Sequence, residues 1–334
     1  MKTYIIAEIG QAHDGSLGIL HSYIDALADT GIDAIKFQTH IAEAESSNFE
    51  PFRVKFSYED ATRYDYWKRM EFTQEQWKGI KDHCDEVGLE FISSPFSNFS
   101  VDLLESIGVK KYKIGSGEVN NFLMLEKIAR TGKDIILSSG MSSFIELDET
   151  IEFLKSYENK ISLLQCTTKY PTLPEDIGLN IINELKKRYN IPIGLSDHSS
   201  TIYPSIAAVT LGAEIIEVHA VFDKQMFGPD SKSSLTIKEI KDLVKGIRFI
   251  EASLANQIDK SNNSQFESLK KIFEKSLSVN KDMEAGQIIN FEDLEAKKPF
   301  GYGLPAKEYK KVIGKKLNKD LRQWDFLKEE DLSE

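Results

Sequence analysis

The 334-residue chain has only two cysteines, Cys84 and Cys166. Two isolated cysteines exclude a disulfide framework and any cysteine-rich metal cluster, and they suit a reducing, cytoplasmic setting. No apolar run approaches the roughly 20 residues that a membrane helix needs. The opening MKTYIIAEIG meets Glu8 before a signal-peptide core can form, so neither a leader nor a membrane partner is expected. Positive charge is in deficit, because 42 Lys and Arg against 53 Asp and Glu leave a net −11. That balance argues against a nucleic-acid partner but leaves room for a local basic pocket. The dinucleotide turn G-x-G-x-x-G is missing, and neither a low-complexity tract nor a long internal repeat is expected.

What is present is a rhythm. Apolar, β-branched runs fall at 3–10, 34–40, 89–96, 111–118, 134–140, 161–168, 191–198 and 213–222. Helical patterns separate them, over 101–107, 124–130, 147–154 and 204–211. An earlier helix opens at Ser16, a good N-cap, with Ile19, Leu20, Tyr23, Ile24 and Leu27 at helical spacing and Gly31 just past the end. Eight βα units predict an α/β fold of the (β/α)8 TIM-barrel type. A doubly wound open sheet is the competitor, but it usually carries the missing glycine-rich turn. After a helix over Ile237–Ala255 the chain turns polar, so the barrel is assigned to 1–260, a linker to 261–274 and a small β-rich module to 275–334.

In such a barrel, chemistry belongs at the C-terminal ends of the strands. Those ends carry Glu8; Lys36, Gln38 and His40; Ser93 and Ser94; Lys113, Ser116 and Glu118; and Ser138 and Ser139. Gln165, Thr167 and Thr168, then Ser196, Asp197 and His198, then Glu217 and His219 complete them. Alternation puts Lys36, Gln38 and His40 on one face, and likewise Ser196 with His198 and Glu217 with His219. Lys36 and Lys113 with nearby serines suggest a cationic, hydroxyl-rich cup for phosphate and carboxylate. His198 and His219, on adjacent strands, can share one divalent metal. The competing reading is a buried ion-pair network that only stabilises the barrel. His13 either joins this face or caps the following helix, and Cys166 reads as buried packing rather than as a nucleophile.

The runs IAEIGQAHDG, KFQTH, FISSPFS, YKIGSGEVNNF, IILSSGMSS, LLQCTTKYPT, GLSDHS and VHAVFDK, with GPDSKSSL after them, resemble in order the sialic acid (N-acetylneuraminate) synthase family. That family includes legionaminate and pseudaminate synthases. Residues 275–334 resemble its C-terminal antifreeze-like (SAF) domain. The resemblance implies a transferase that condenses phosphoenolpyruvate with an open-chain N-acetylated hexosamine, using Mn2+, Mg2+ or Co2+. It also implies a homodimer in which each SAF domain covers the partner's barrel. By resemblance Lys36, Ser94, Lys113, Ser116, Ser138 and Ser196 hold phosphoenolpyruvate, and His198 and His219 ligate the metal. Glu8 and Glu118 are implied as catalytic, with Gln38, Tyr170, Asp230 and Lys298 on the sugar.

Four departures from the family pattern bear on the sugar. Ala12 replaces an Asn, Val218 replaces a basic residue, Lys298 replaces an Arg before Pro299, and RQWD at 322–325 replaces a glycine-containing turn. The connection over 41–72, rich in aromatics, reads as a lid or as packing over the rim. N-acetylmannosamine is the favoured acceptor. A 2,4-diacetamido-6-deoxy sugar is the alternative, and a non-catalytic sugar-binding paralogue is a reading of a different class.

Overall fold

The computed structural model describes residues 2–54 and 56–333. The chain divides into two compact units at Asn256/Gln257. In the first, eight parallel strands pair in chain order: β1 (Tyr4–Glu8), β2 (Ala34–Thr39), β3 (Glu90–Pro95), β4 (Lys111–Ile114), β5 (Asp134–Ser138), β6 (Ile161–Cys166), β7 (Ile193–Asp197) and β8 (Ile215–Val221). Strand β8 pairs back with β1, so the sheet closes into the expected (β/α)8 barrel.

Alternation along the strands separates two cores. Outward residues such as Ile5, Ile35, Tyr112, Leu163 and Val218 pack against the helices. Ile6, Ala34, Ile92, Ile136, Leu164 and Ile215 fill the barrel interior. Gly194 completes that inner layer because a side chain there has no room: a Cβ would lie 2.2 Å from the Ile215 carbonyl and 2.5 Å from Leu164. Two residues further along the strands come Glu8, Lys36, Ser94, Ser138, Cys166, Ser196 and Glu217. The strand register therefore lifts one polar layer onto an apolar plug.

The helices form where caps and apolar stripes agree. Ser16 caps Leu17–Ala28 by accepting from Ile19 N–H, and the helix buries Leu20, Tyr23, Ile24 and Leu27. Ile19 departs from the expected stripe and stays 38% exposed. The connection at 41–72 is not an open loop, since it holds the helix Arg63–Met70, closed at its start by a Thr62/Asp65 capping box. A second helix, Gln74–Glu86, follows it.

The second unit pairs Ser276–Val279 with Leu294–Lys297 and Lys316–Leu317 with Leu332–Ser333, both antiparallel. Leu277, Val279, Met283, Ile289, Val312, Leu317, Leu321 and Leu327 form its core. Within 261–274, the segment expected as a linker, a helix forms over Glu267–Phe273. Phe266, Leu269, Ile272 and Phe273 supply the helical spacing there.

The unit also contains a repeat that sequence reading missed. NKDMEAGQIINFEDL (280–294) and NKDLRQWDFLKEEDL (318–332) share their first three and last three residues. Asn280 Nδ2 donates to the Glu292 and Leu294 carbonyls, and Asn318 Nδ2 donates to those of Glu330 and Leu332. Too few identities separate the matching ends for periodicity to register. Where the first copy turns through Gly286 at φ 89°, the second turns through Trp324 at φ 73°.

Candidate active site

The polar layer is the floor of a cavity of about 430 Å³ at the C-terminal end of the barrel. The register of β1 sets Glu8 beside Lys36 on one side and His219 on the other. The Lys36 ammonium contacts Glu8, lies 3.8 Å from Glu217 Oε1 and donates to Ser94 Oγ at 3.4 Å. Lys113 lies 3.5 Å from the same Glu217 oxygen and donates to Ser138 Oγ at 2.6 Å. Ser196 Oγ donates to Glu217 Oε1 at 3.0 Å, and Gln38 Nε2 donates to Glu8 Oε1 at 2.7 Å. All four charged groups are at most 4% exposed.

The cup is therefore not simply cationic, as the lysines alone suggested, because two carboxylates balance them. Burial works against the Lys36 ammonium, but Glu217 and Glu8 outweigh it and hold the group above its ordinary range. Burial pulls Lys113 below its ordinary range, with Glu217 opposing and Lys36 adding to the fall. Burial likewise opposes the Glu217 charge, yet Lys113 and Lys36 hold that carboxyl below the usual range. Glu217 Oε2 is buried without a hydrogen-bond partner. A buried acceptor left open is costly, which marks this floor as built for something more than folding.

Above the floor, His198 and His219 face each other with ring centroids 5.2 Å apart. The Thr167 carbonyl can only accept, so His198 Nδ1 donates to it at 3.0 Å and leaves Nε2 as the lone-pair nitrogen. Burial, with His219 beside it, pushes His198 down to about 3. Gly10 turns the chain here at φ 54°, a left-handed conformation that favours glycine, although a Cβ would meet Glu8 and His219 only at ordinary contact distances of 3.4 and 3.6 Å. Tyr170 stacks on His198 at 4.2 Å. Among the described residues no group of three or more His, Cys, Asp or Glu is arranged to hold a metal. Two neutral-capable imidazoles fit a divalent cation that takes its other ligands from water or substrate.

Glu8, Lys36, Gln38, Ser94, Lys113, Ser116, Glu118, Ser138, Tyr170, Ser196, His198, His219 and Asp230 all line this one cavity. Lys298 belongs to the second unit, where its ammonium lies over the Phe273 ring at 4.9 Å. Burial raises the Glu118 carboxyl above its ordinary range against a hydrogen bond from Asn121 Nδ2 at 2.8 Å. His13 neither lines this cavity nor caps the following helix, which Ser16 does: its Nδ1 accepts from Gly15 N–H at 3.0 Å and closes the turn ahead of the cap. Cys166 is buried, and burial raises its thiol, yet it also lines the cavity.

Arg53 was missed by reading strand ends alone. It comes from the connection after β2, pairs with Asp230 at 2.7 Å and lies over the Tyr170 ring at 4.1 Å. The signal that could have found it is a lone arginine inside the aromatic run FEPFRVKF. Glu45 and Glu50, from the same connection, also reach the cavity, and Glu45 holds His40 Nδ1 at 2.6 Å.

Fold and cavity thus define a (β/α)8-barrel protein with a charged, hydroxyl-rich pocket at its strand ends. The NeuB family profile matches residues 23–259, and the chain belongs to that family. It is 35% identical over 334 residues to an N,N'-diacetyllegionaminic acid synthase from Campylobacter jejuni, covering 98% of this chain and 99% of the relative. A pseudaminic acid synthase from the same species is 34% identical, with 99% and 96% covered. The crystal structure of the sialic acid synthetase from Leptospira borgpetersenii superposes with a TM-score of 0.71 at 31% identity, over 80% of this chain and 90% of that one.

Proposed function

We propose that this protein is a nonulosonic acid synthase that joins phosphoenolpyruvate to an open-chain acylamino sugar and releases phosphate. The observation that carries this reading is the buried Lys36–Glu8–Glu217–Lys113 floor, ringed by Ser94, Ser138 and Ser196. Two ammonium groups and several hydroxyls suit the phosphate and the carboxylate of phosphoenolpyruvate, and Ser116 lines the same cavity. Because Glu8 and Glu217 already balance the lysines, an incoming dianion leaves the pocket short of positive charge. His198 and His219 would hold a divalent cation, Mn2+, Mg2+ or Co2+, which would supply that charge and Lewis acidity toward the acceptor.

In this reading C3 of phosphoenolpyruvate forms the new bond to the aldehyde carbon, whose oxygen takes up a proton. The electron deficit passes to C2, which Lys36 and Lys113 flank through the phosphate and carboxylate. Water adds at C2 and loses its proton to a carboxylate, for which Glu8 and Glu118 are the candidates. The tetrahedral centre then collapses to the keto acid with cleavage of the C–O bond to phosphate. Gln38, Tyr170 and Asp230 face the sugar, as does Lys298 from a partner subunit whose SAF-type domain covers the barrel of a homodimer.

N-acetylmannosamine is the acceptor favoured by the sequence motifs, and a 2,4-diacetamido-6-deoxy sugar has support from the legionaminic and pseudaminic relatives. Phosphate release and product mass, measured across both sugars with added Mn2+, test the proposal. Release with one sugar and formation of the matching nonulosonic acid is the expected result. No release with any acylamino sugar would leave a sugar-binding paralogue as the better account.

A further inference from the structure

Arg53 sits where three loops converge. It is carried by the connection after β2, pairs with Asp230 from the connection after β8, and covers Tyr170 from the connection after β6. Its neighbour in sequence, Phe56, is wedged against Tyr66 at 5.0 Å and Phe227 at 5.7 Å, which pins the segment to the rim. The Arg53 side chain is 36% exposed and that of Asp230 only 16%. The pair therefore stands at the boundary between cavity and solvent rather than on an open surface.

Behind Tyr170 lies His198, ring on ring, so Arg53, Tyr170 and His198 form a continuous stack into the cavity. Removing the outermost plate frees one face of Tyr170 and strips a half-buried carboxylate of its counter-charge. In the synthase reading the two residues that Arg53 touches, Asp230 and Tyr170, face the sugar, whereas Lys36 and Lys113 hold phosphoenolpyruvate. Arg53 thus stands on the acceptor side.

Asp230 and Glu118 line the cavity as carboxylates, good partners for sugar hydroxyls, which donate, whereas Glu45 and Glu50 are already held by His40 and by Arg63, a second guanidinium in the lining. An acylamino group also presents a carbonyl oxygen, which needs a donor. A guanidinium carries five N–H donors in a rigid fork; here one nitrogen is committed to Asp230, and the flat face is committed to Tyr170.

We propose that Arg53 is a specificity-determining residue for the acceptor. It orients Asp230 and Tyr170 and donates to the amide carbonyl of an acylamino sugar, without acting on phosphoenolpyruvate. This rests on the synthase reading of the cavity. The test compares wild type with Arg53→Ala and Arg53→Lys, using N-acetylmannosamine and a 2,4-diacetamido-6-deoxy sugar as acceptors in the presence of Mn2+. Phosphate release is followed with each substrate varied separately, and binding of phosphoenolpyruvate and of each sugar is measured by calorimetry.

Arg53→Ala is expected to raise the acceptor KM about tenfold or more, through loss of a charge-assisted hydrogen bond and a cation–π contact. Phosphoenolpyruvate affinity should stay within about twofold, as for an independent site. Arg53→Lys should recover part of the loss, since it keeps the charge beside Asp230 but not the planar stack. Equal losses for both substrates, or an unchanged acceptor KM, would overturn the proposal. A wild type that binds a sugar without releasing phosphate overturns the synthase reading, and sugar affinity unchanged in Arg53→Ala would then still refute the role of Arg53. A wild type that binds and converts no acylamino sugar overturns both.

Discussion

Glu8 and Glu217 in the barrel, and Asp293 and Asp331 in the C-terminal unit, are buried acids beside lysines, yet their surroundings differ. Asp293 Oδ2 accepts from Asn290 N–H and Asp331 Oδ2 from Lys328 N–H, both at 2.9 Å. Their lysine partners, Lys281 and Lys319, lie 2.5 Å away with side chains 58% and 54% exposed. Water thus keeps most of the hydration of those ammonium groups while the carboxylate closes a turn. In the barrel the lysine side chains are 5% and 3% exposed, and Glu217 Oε2 has no partner. Desolvating both members of a pair gains little stability over a well-packed apolar pair. A buried acid beside a lysine therefore closes a turn in one unit and, in the proposed reading, prepares a binding floor in the other.

If the barrel floor is prepared for reaction and the small-unit acids are not, removing metal or a metal ligand should have the largest effect. Chelation or His219→Ala should abolish phosphate release, with Mn2+ restoring only the chelated wild type; a stopped assay of phosphate checks this. Retained turnover after thorough chelation would remove the metal from the account.

Breaking the floor should cost more stability than breaking a lock. Lys36→Met leaves Glu8 and Glu217 short of a buried counter-charge, and such losses run to about 3–5 kcal/mol. Lys281→Met should leave the thermal unfolding midpoint nearly unchanged. Calorimetric melting of the two variants decides the matter, and equal shifts would erase the distinction between the units.

The pH profile sharpens the comparison within the barrel. Burial raises the Glu118 carboxyl, so it takes up a proton at higher pH than an ordinary glutamate. If its ionised form serves the reaction, kcat should fall as pH drops through that raised value and recover above it. Glu118→Gln should flatten this acidic limb, and an unchanged limb would assign it to another group.

The smallest effect belongs to the repeat. Trp324 occupies a left-handed turn position held by glycine in the other copy, a conformation costing a side-chain-bearing residue roughly 1–2 kcal/mol. Trp324→Gly should raise the small unit's stability by up to about 1 kcal/mol, partly offset by the lost ring. A denaturant titration that shows destabilisation would mean that the ring's packing outweighs the strain.

Much of the barrel was legible because its signals are local. Period-2 alternation and strand-end chemistry suffice to group Glu8, Lys36, Lys113, His198 and His219 at one end of the barrel. What escaped depends on distance. That Glu217 lies between two lysines needs the register of β7, β8 and the closing β1, which no local pattern carries. Arg53 reaches Tyr170 and Asp230 across more than a hundred residues of chain. The repeat in the small unit hid because its shared residues, Asn-Lys-Asp at one end and Glu-Asp-Leu at the other, set no apolar period.

The central claim is that the Lys36–Lys113 floor binds phosphoenolpyruvate whereas the lysine–aspartate locks serve folding alone. Calorimetric titration of phosphoenolpyruvate, with Mn2+ present, into wild type, Lys113→Met and Lys281→Met tests it directly. The account predicts binding to wild type and Lys281→Met alike, and none to folded Lys113→Met. Undiminished binding to Lys113→Met would contradict it.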